Sequence, residues 1–258
     1  MGMRNRLVMK PRTTARARLF CFPSAGMGAS MYRGWHDAFP EGVQVAALQW
    51  PGRESRFSET PLSSVAELVD HAVEIIRPYL DLPYALFGHS MGAIVAYETA
   101  NRLRAEGIHH PIHIFACSHS APQLSTGDPR SAKMTDEELV EHLHGAGGVG
   151  EEFLESREYL NLMLPAIRAD LLAVDTYLWR GDEPHTVPIT AIAGQDDIWA
   201  SPEALQAWKV HTASRFSTRI MAGGHHVVRD NRTMVIAAVA DDITLSMALS
   251  SPDERPVR

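Results

Sequence analysis

Short apolar runs and longer amphipathic stretches alternate along most of this chain, and this alternation is the feature that most restricts its fold. The apolar runs have the length of strands, and they end at glycine, proline, serine or similar turn-forming residues. This order is typical of a parallel sheet whose connecting helices cover both faces. The predicted strands are Arg18–Phe22, Val43–Leu48, Tyr84–Phe87, Ile112–Cys117, Ile189–Ala193 and Ser217–Met221.

The helical stretches carry recognisable start and stop signals. Ser64 and Glu67 have the spacing of a capping box, and apolar residues recur after them at every third or fourth position. A second helix is predicted over Met91–Arg104, with Gly107 placed to end it. Because this helix is apolar around most of its circumference, we expect it to pack deep against the sheet. The last helix is predicted over Asn231–Met247.

The alternation stops over residues 121–187, where only helical patterns are found. Thr135 and Glu138 form a second capping box, and another helical pattern covers Phe153–Trp179. Four glycines between these helices predict a flexible joint: Gly145, Gly147, Gly148 and Gly150. We expect residues 121–187 to form a helical lid over the carboxyl edge of the sheet, where open α/β sheets bind ligands. The alternative is a helical subdomain that only adds to the core.

The chain ends are polar and are expected to lie outside the fold. Basic side chains within the first 18 residues have no apolar stretch behind them, which does not fit a secretory signal. We therefore predict one domain over residues 18–249, a flexible tail over residues 1–17 and another over residues 250–258.

Composition limits the possible functions of the 258 residues. Apolar residues make up 45% and charged residues 21%, as in soluble globular proteins, and no apolar run reaches the roughly 18 residues that span a membrane. The net charge of −7 does not indicate a nucleic-acid surface. Cys21 and Cys117 lie in predicted buried strands, so we expect free thiols and a cytoplasmic location. We expect no cofactor and no metal ion.

The run Gly88-His89-Ser90-Met91-Gly92 fits the pattern G-x-S-x-G and lies between a predicted strand and a predicted helix. This is the position of a nucleophile elbow, a turn too sharp for Cβ atoms on either side of the serine. The N-terminus of the following helix offers free N–H groups and a positive dipole end to a developing oxyanion. In this context the motif predicts the α/β-hydrolase fold, with Ser90 as the nucleophile.

A serine nucleophile needs a base, and the base needs an acid that orients it. Asp196 and Asp197 follow the fifth predicted strand, and His225 and His226 follow the sixth, so both groups leave the sheet at the edge of Ser90. Only one member of each pair can serve, because neighbouring side chains in an extended loop point apart. His225 follows two glycines that let the loop fold back, whereas His226 begins an apolar continuation that can simply pack.

The oxyanion needs a second N–H donor besides that of Met91. The loop after an early strand is the expected source, and here it reads Phe22-Pro23-Ser24-Ala25-Gly26. We predict that the Ala25 N–H is this donor. The alternative is an ordinary proline- and glycine-containing turn.

With these residues in place, the chain resembles the type II thioesterases that accompany polyketide synthases and non-ribosomal peptide synthetases. The resemblance extends over about residues 18–249. The elbow alone would fit any hydrolase, whereas the segments around Arg53 and Asp170 make the resemblance specific. The segments that carry it are Phe22–Gly26, Pro51-Gly52-Arg53, Leu86–Ala93, Ala121-Pro122, Leu164–Asp170 and Gly223-Gly224-His225.

The resemblance implies a role for each candidate residue and a class of substrate. It makes Ser90 the nucleophile, His225 the base and Asp197 the acid, with Ala25 and Met91 in the oxyanion hole. The implied substrate is an acyl group on the phosphopantetheine arm of an acyl or peptidyl carrier protein, which the enzyme hydrolyses to free the arm. No nucleic acid and no membrane partner is implied.

Two departures from the family pattern are visible, and two other functions remain open. Gly26-Met27-Gly28 replaces the usual paired glycines, and His226-Val227 replaces an aromatic residue that often follows the catalytic histidine. The first could alter the pocket near the oxyanion hole, and neither touches the three catalytic residues. The alternatives are a carboxylester hydrolase of the same fold and a non-catalytic acyl-binding scaffold.

Overall fold

The computed structural model describes residues 6–145 and 157–250, which contain seven strands. They are β1 (Leu7–Met9), β2 (Ala17–Phe22), β3 (Val43–Leu48), β4 (Tyr84–His89), β5 (His113–Cys117), β6 (Ile189–Gly194) and β7 (Phe216–Met221). All seven form one sheet in the order β1-β3-β2-β4-β5-β6-β7. Only the β1–β3 pair is antiparallel within this sheet, so the other six strands end at a common edge.

The six strands predicted from the sequence are all present, with boundaries that agree to within two residues. Every residue of β2 to β6 is buried, which explains why these strands appear as continuous apolar runs rather than alternating ones. The predicted α/β-hydrolase fold, with a mostly parallel sheet and helices on both faces, is confirmed.

The flexible tail expected over residues 1–17 is wrong for the part that the structure describes. Strand β1 pairs with β3, and Leu7 lies opposite Leu48. The Arg12 guanidinium donates to the Val43 carbonyl oxygen at 2.7 Å, which holds the following segment against the sheet. A three-residue strand among basic side chains gives no apolar run, and it forms because a buried neighbouring strand offers it hydrogen bonds.

The described residues contain eight α-helices and several short 3₁₀ turns. The α-helices are α1 (Trp35–Ala38), α2 (Val65–Ile76), α3 (Met91–Ala105), α4 (Asp136–Gly145), α5 (Arg157–Asp175), α6 (Pro202–Gln206), α7 (Val227–Asp230) and α8 (Arg232–Ser250). Helix α2 begins at the predicted capping box, in which the Glu67 N–H donates to Ser64 Oγ at 3.2 Å. In the described part of the chain, no helix combines the length and apolar character required to cross a membrane.

Two apolar cores lie on opposite faces of the sheet. Phe20 and Phe22 of β2 point into the core covered by α2 and α3, whereas Leu19 and Cys21 point into the core that contains residues of α1 and α8. The alternation follows from the period of two along a strand. Cys21 and Cys117 are both buried and free, as predicted.

Residues 121–187 contain helices but no strand within their described part. Helices α4 and α5 share an apolar cluster separate from the two main cores, built on Leu139, Leu164 and Ile167. Several predicted features lie outside the described residues, namely residues 1–5, Gly147, Gly148, Gly150, Phe153 and residues 251–258.

Paired substitutions in β1 test whether this edge strand persists in solution. Leu7 is 8% exposed against the core, whereas Val8 on the other face is 53% exposed. We expect Leu7→Ala to lower the free energy of unfolding by about 2 kcal/mol and Val8→Ala to change it by less than about 0.5 kcal/mol, measured by urea denaturation. If neither substitution changed the free energy of unfolding, the segment would be a tail rather than an edge strand.

Candidate active site

Ser90 occupies a sharp turn between the end of β4 and the start of α3. Its φ of 54° and ψ of −121° are rarely adopted by a residue with a side chain. A Cβ atom at Gly88 would lie 2.0 Å from the Gly92 carbonyl oxygen, and one at Gly92 would lie 2.0 Å from the Phe22 carbonyl oxygen. Both positions therefore require glycine, because strand, helix and neighbouring strand approach too closely for a side chain.

The Ser90 hydroxyl, the His225 imidazole and the Asp197 carboxylate form one hydrogen-bonded line. Ser90 Oγ lies 3.0 Å from His225 Nε2, and His225 Nδ1 lies 3.1 Å from each carboxylate oxygen of Asp197. An ionised carboxylate only accepts hydrogen bonds, so Nδ1 carries the proton and Nε2 is left to accept from the hydroxyl. This arrangement can pass the hydroxyl proton to the imidazole.

The sequence neighbours Asp196 and His226 do not join this line. Asp196 is exposed, and its carboxylate lies 3.5 Å from the Gln195 side-chain nitrogen. The His226 ring packs edge-on against the His225 ring, with 5.3 Å between ring centroids. The structure thus brings Asp197 and His225 to the serine, the two residues that the family resemblance indicates.

Backbone contacts tie the acid loop to the base loop. The Gln195 N–H donates to the Met221 carbonyl oxygen at 2.7 Å, and the Asp196 N–H donates to the Gly223 carbonyl oxygen at 2.9 Å. A Cβ atom at Gly194 would lie 2.1 Å from that same Gly223 oxygen. This close approach fixes the two loops relative to each other, and so fixes the spacing of carboxylate and imidazole.

The Asp197 carboxylate is held ionised in a buried position. Burial raises its pKa, but the hydrogen bond and charge of His225, the Trp199 N–H and the Ser118 hydroxyl together bring the pKa below its usual value. Two further histidines near the site stay neutral, since burial lowers the pKa of His119 and of His226 to about 4. The acid therefore keeps its negative charge throughout the neutral pH range.

Two backbone N–H groups beside Ser90 have no acceptor within the described part of the chain. They belong to Ala25, in the loop after β2, and to Met91, the first residue of α3. Both residues line the cavity that contains Ser90 and His225. Unsatisfied donors at a helix N-terminus and a neighbouring loop can bind the negative oxygen of a tetrahedral intermediate.

Sequence reasoning missed three residues that support the triad. The buried His89 lies with Nε2 2.8 Å from the His225 carbonyl oxygen, and because that oxygen only accepts, the ring nitrogen donates to it. The Trp199 ring packs edge-on against the His225 ring at 4.5 Å between centroids. Ser118 directly follows β5, has a φ of 53° and contacts Asp197. No spacing rule marks these residues, because each contacts the triad only through the fold.

Two cavities of contrasting chemistry meet at Ser90 and His225. One has a volume of about 330 Å³ and a mixed lining, in which apolar side chains lie beside the polar side chains of Ser118, Ser120, Ser125, Thr126, Asp128 and Arg130. The other, of about 400 Å³, is mainly apolar and is lined by Met27, Met31, Leu143, Leu160, Met163 and Val228. Among the described residues, no three His, Cys, Asp or Glu side chains are grouped to hold a metal ion.

Comparisons with known proteins find a matching family model and similar relatives. A family model described as the thioesterase domain matches residues 17–243. The gramicidin S biosynthesis protein GrsT of Aneurinibacillus migulanus is 33% identical over 236 residues, which cover 92% of each chain. The matched part of the chain contains every site residue described above.

Solved structures show the same similarity in three dimensions. RedJ, a thioesterase from the prodiginine pathway in Streptomyces coelicolor, is 34% identical with a TM-score of 0.85, and the match covers 90% of this chain and 92% of RedJ. BorB, the type II thioesterase from the borrelidin biosynthetic cluster, is 32% identical with a TM-score of 0.81, and the match covers 92% of this chain and 95% of BorB.

Two matched pairs of substitutions test the assignment within the site. Rates of Ser90 labelling by a fluorophosphonate probe should fall by about a thousandfold or more in His225→Gln and Asp197→Asn. They should stay within about threefold of the parent in His226→Gln and Asp196→Asn, whose side chains lie off the hydrogen-bonded line. The measurement is mass spectrometry of the labelled serine over time. A loss of labelling in His226→Gln with retention in His225→Gln would reverse the assignment of the base.

Proposed function

The chain belongs to the thioesterase family, as a type II thioesterase of non-ribosomal peptide and polyketide pathways, and we propose that it edits carrier proteins by hydrolysing their acyl-phosphopantetheine thioesters. The observation that carries this proposal is the hydrogen-bonded line of Ser90, His225 and Asp197 at the junction of two cavities. The proposed partner is an acyl or peptidyl carrier protein whose arm is blocked by an unwanted acyl group.

In the proposed first half-reaction, Ser90 Oγ attacks the thioester carbonyl carbon while His225 Nε2 takes its proton. Asp197 stabilises the imidazolium that forms. The Ala25 and Met91 N–H groups bind the oxyanion, a contribution of about 3–4 kcal/mol per donor in other hydrolases. The intermediate then breaks its carbon–sulfur bond, and the imidazolium proton goes to the departing sulfur, which leaves as the pantetheine thiol.

The second half-reaction repeats these steps with water. His225 removes a proton from a water molecule that attacks the acyl-serine carbonyl, and the same two N–H groups bind the new oxyanion. The proton then passes to Ser90 Oγ as the ester bond breaks. The products are the free acid and the restored serine, so the acyl group leaves the carrier protein without transfer to another acceptor.

The contrast between the two cavities suggests how the substrate lies. We place the acyl chain in the apolar cavity, whose walls include Met31 and Met163, because transfer of its methylene groups from water is favourable. We place the pantetheine arm in the cavity of mixed lining, where Ser120, Ser125 and Thr126 can hydrogen-bond its amides. The acyl chain then contacts mainly apolar side chains, and the amides of the pantetheine arm contact polar ones.

The helical segment of residues 121–187 supports a covering role. Leu143 of α4 and Met163 of α5 both line the apolar cavity beside Ser90. We propose that this segment is a lid whose helices exclude water from the acyl group. We also propose that the enzyme acts in the cytoplasm, where its buried free thiols, Cys21 and Cys117, suit the reducing conditions.

The chemical step is tested by comparing matched thioester and oxygen-ester substrates. We expect acyl-pantetheine and acyl-carrier thioesters to be hydrolysed with a higher kcat/KM than oxygen esters of the same acyl group. Ser90→Ala should reduce hydrolysis to the background rate while leaving the melting temperature close to that of the parent. Preference for the oxygen ester would favour a carboxylester hydrolase, and unchanged hydrolysis in Ser90→Ala would exclude the proposed mechanism.

The placement of the acyl chain and of the pantetheine arm is tested by filling each cavity in turn with a large side chain. Met163→Trp should lower kcat/KM about tenfold or more for long acyl chains and leave acetyl-pantetheine within about threefold, because only a long chain reaches that wall. The matched variant Ser125→Trp should lower kcat/KM by a similar factor for all acyl-pantetheine substrates, since they share the same pantetheine arm. The opposite pattern in the two variants would show that the acyl chain and the pantetheine arm occupy each other's proposed cavities.

A further inference from the structure

A carboxylate in the C-terminal half of helix α5 joins two distant segments of the chain to that helix. Asp170 Oδ2 accepts a hydrogen bond from the Gly26 N–H at 2.7 Å, and Asp170 Oδ1 accepts one from Arg53 Nη2 at 3.0 Å. The side chains of Asp170 and Arg53 are 0% and 1% exposed. The pair therefore connects α5, the loop after β2 and the loop after β3 in a place without solvent.

The contact at Gly26 is next to one of the two proposed oxyanion donors. Gly26 has a φ of 74°, and a Cβ atom there would lie 2.7 Å from the Ile167 side chain, one turn before Asp170 on α5. Helix α5 thus touches Gly26 from two positions, through a hydrogen bond and through direct packing. Because Ala25 is joined to Gly26 by a peptide bond, a shift of α5 also shifts the Ala25 N–H.

Arg53 is itself fixed on the side away from Asp170. The Gln49 side-chain nitrogen donates to the Arg53 carbonyl oxygen at 3.1 Å, and the Gln49 side-chain oxygen accepts from the Ala29 N–H at 2.9 Å. The guanidinium therefore starts from a braced backbone position. Because its backbone is fixed in this way, Arg53 can determine where the Asp170 carboxylate lies.

Packing alone does not account for a charged pair at this place. Burial raises the pKa of Asp170 to about 6, although Arg53 and the Gly26 N–H both oppose the rise. Two nitrogens of the Arg53 guanidinium, Nε and Nη1, are buried without a hydrogen-bond acceptor in the described residues. Buried pairs of this kind are commonly no more stabilising than apolar side chains of similar volume. What the pair provides is a directed hydrogen bond to Gly26.

We propose that Arg53 and Asp170 are positioning residues that hold the Ala25 N–H where the oxyanion forms, and that they couple this donor to helix α5. The inference rests on the proposed function, in which Ala25 is an oxyanion donor. It also gives a physical role to two segments of the sequence that otherwise serve only as family markers. Neither side chain touches the substrate, so both act through the loop after β2.

The test separates positioning from simple stabilisation. Asp170→Asn should lower kcat for acyl-pantetheine hydrolysis about tenfold to a hundredfold with KM within about threefold, because a misplaced donor weakens only the transition state. The affinity for a trifluoromethyl ketone analogue, which forms an oxyanion with Ser90, should fall by the same factor. The affinity for the matching thioether, which has no carbonyl oxygen, should not change.

A double variant keeps the test decisive if single substitutions unfold the protein. Arg53→Met combined with Asp170→Leu replaces the pair by apolar side chains, and we expect a stable fold that remains slow in kcat. As a matched control, Asp242→Asn weakens the Arg219–Asp242 pair between β7 and α8, and it should leave kcat within about twofold. Parental kcat in the stable double variant would overturn the proposal.

The same experiments distinguish this inference from the proposed function. Hydrolysis by the parent protein reports whether acyl-pantetheine thioesters are substrates at all. The ratio of fluorophosphonate labelling rates between the Asp170→Asn variant and the parent reports the positioning role without any thioester. A parent that is labelled but does not hydrolyse thioesters would refute the proposed substrate, and equal labelling rates in parent and variant would refute the positioning role.

Discussion

The close approach of three backbone segments around Ser90 is the constraint on which the rest of the site depends. Strand β4, helix α3 and the end of β2 come so near that Gly88 and Gly92 have no space for a Cβ atom. The turn between them holds Ser90 at a positive φ, with its hydroxyl oxygen 3.0 Å from His225 Nε2. The contact with Phe22 also places the loop that carries Ala25 beside the serine. One steric condition thus sets the positions of the proposed nucleophile and of one proposed oxyanion donor together.

The parallel sheet then supplies the remaining groups at the same edge. Asp197 follows β6, His225 follows β7, and Ser118 follows β5, which lies between β4 and β6 in the sheet. Strands that run in one direction deliver their following loops to one side, so residues more than 100 positions apart meet without a long detour of the chain. Hydrogen bonds between the loops after β6 and β7 adjust the final spacing.

The sequence predicted those parts of the molecule that depend on local pattern. The five fully buried strands β2 to β6 and the elbow could be recognised because continuous apolar runs and a glycine-flanked serine report directly on burial and on a sharp turn. Strand β1 escaped recognition because its stability comes from its partner β3 rather than from its own three residues. The choice between Asp196 and Asp197 depends on the direction of a loop, which residue order does not encode, and only the family resemblance favoured Asp197. The contacts of Asp170 with Arg53 and Gly26 join positions 117 and 144 residues apart, beyond the range of any periodicity.

Two locally unfavourable features lie on either side of the proposed oxyanion position, and together they suggest how stability and catalysis are divided in this fold. Ser90 keeps a strained backbone, and Asp170 keeps a buried charge with an incompletely satisfied partner. Neither is needed to hold the two large apolar cores together, which lie on the faces of the sheet. The cores supply enough stability for the catalytic edge to hold groups in directions that packing alone would not choose. Because helix α5 holds Gly26 through the Asp170 hydrogen bond and through the packing of Ile167, any movement of the proposed lid reaches the proposed oxyanion donor at Ala25.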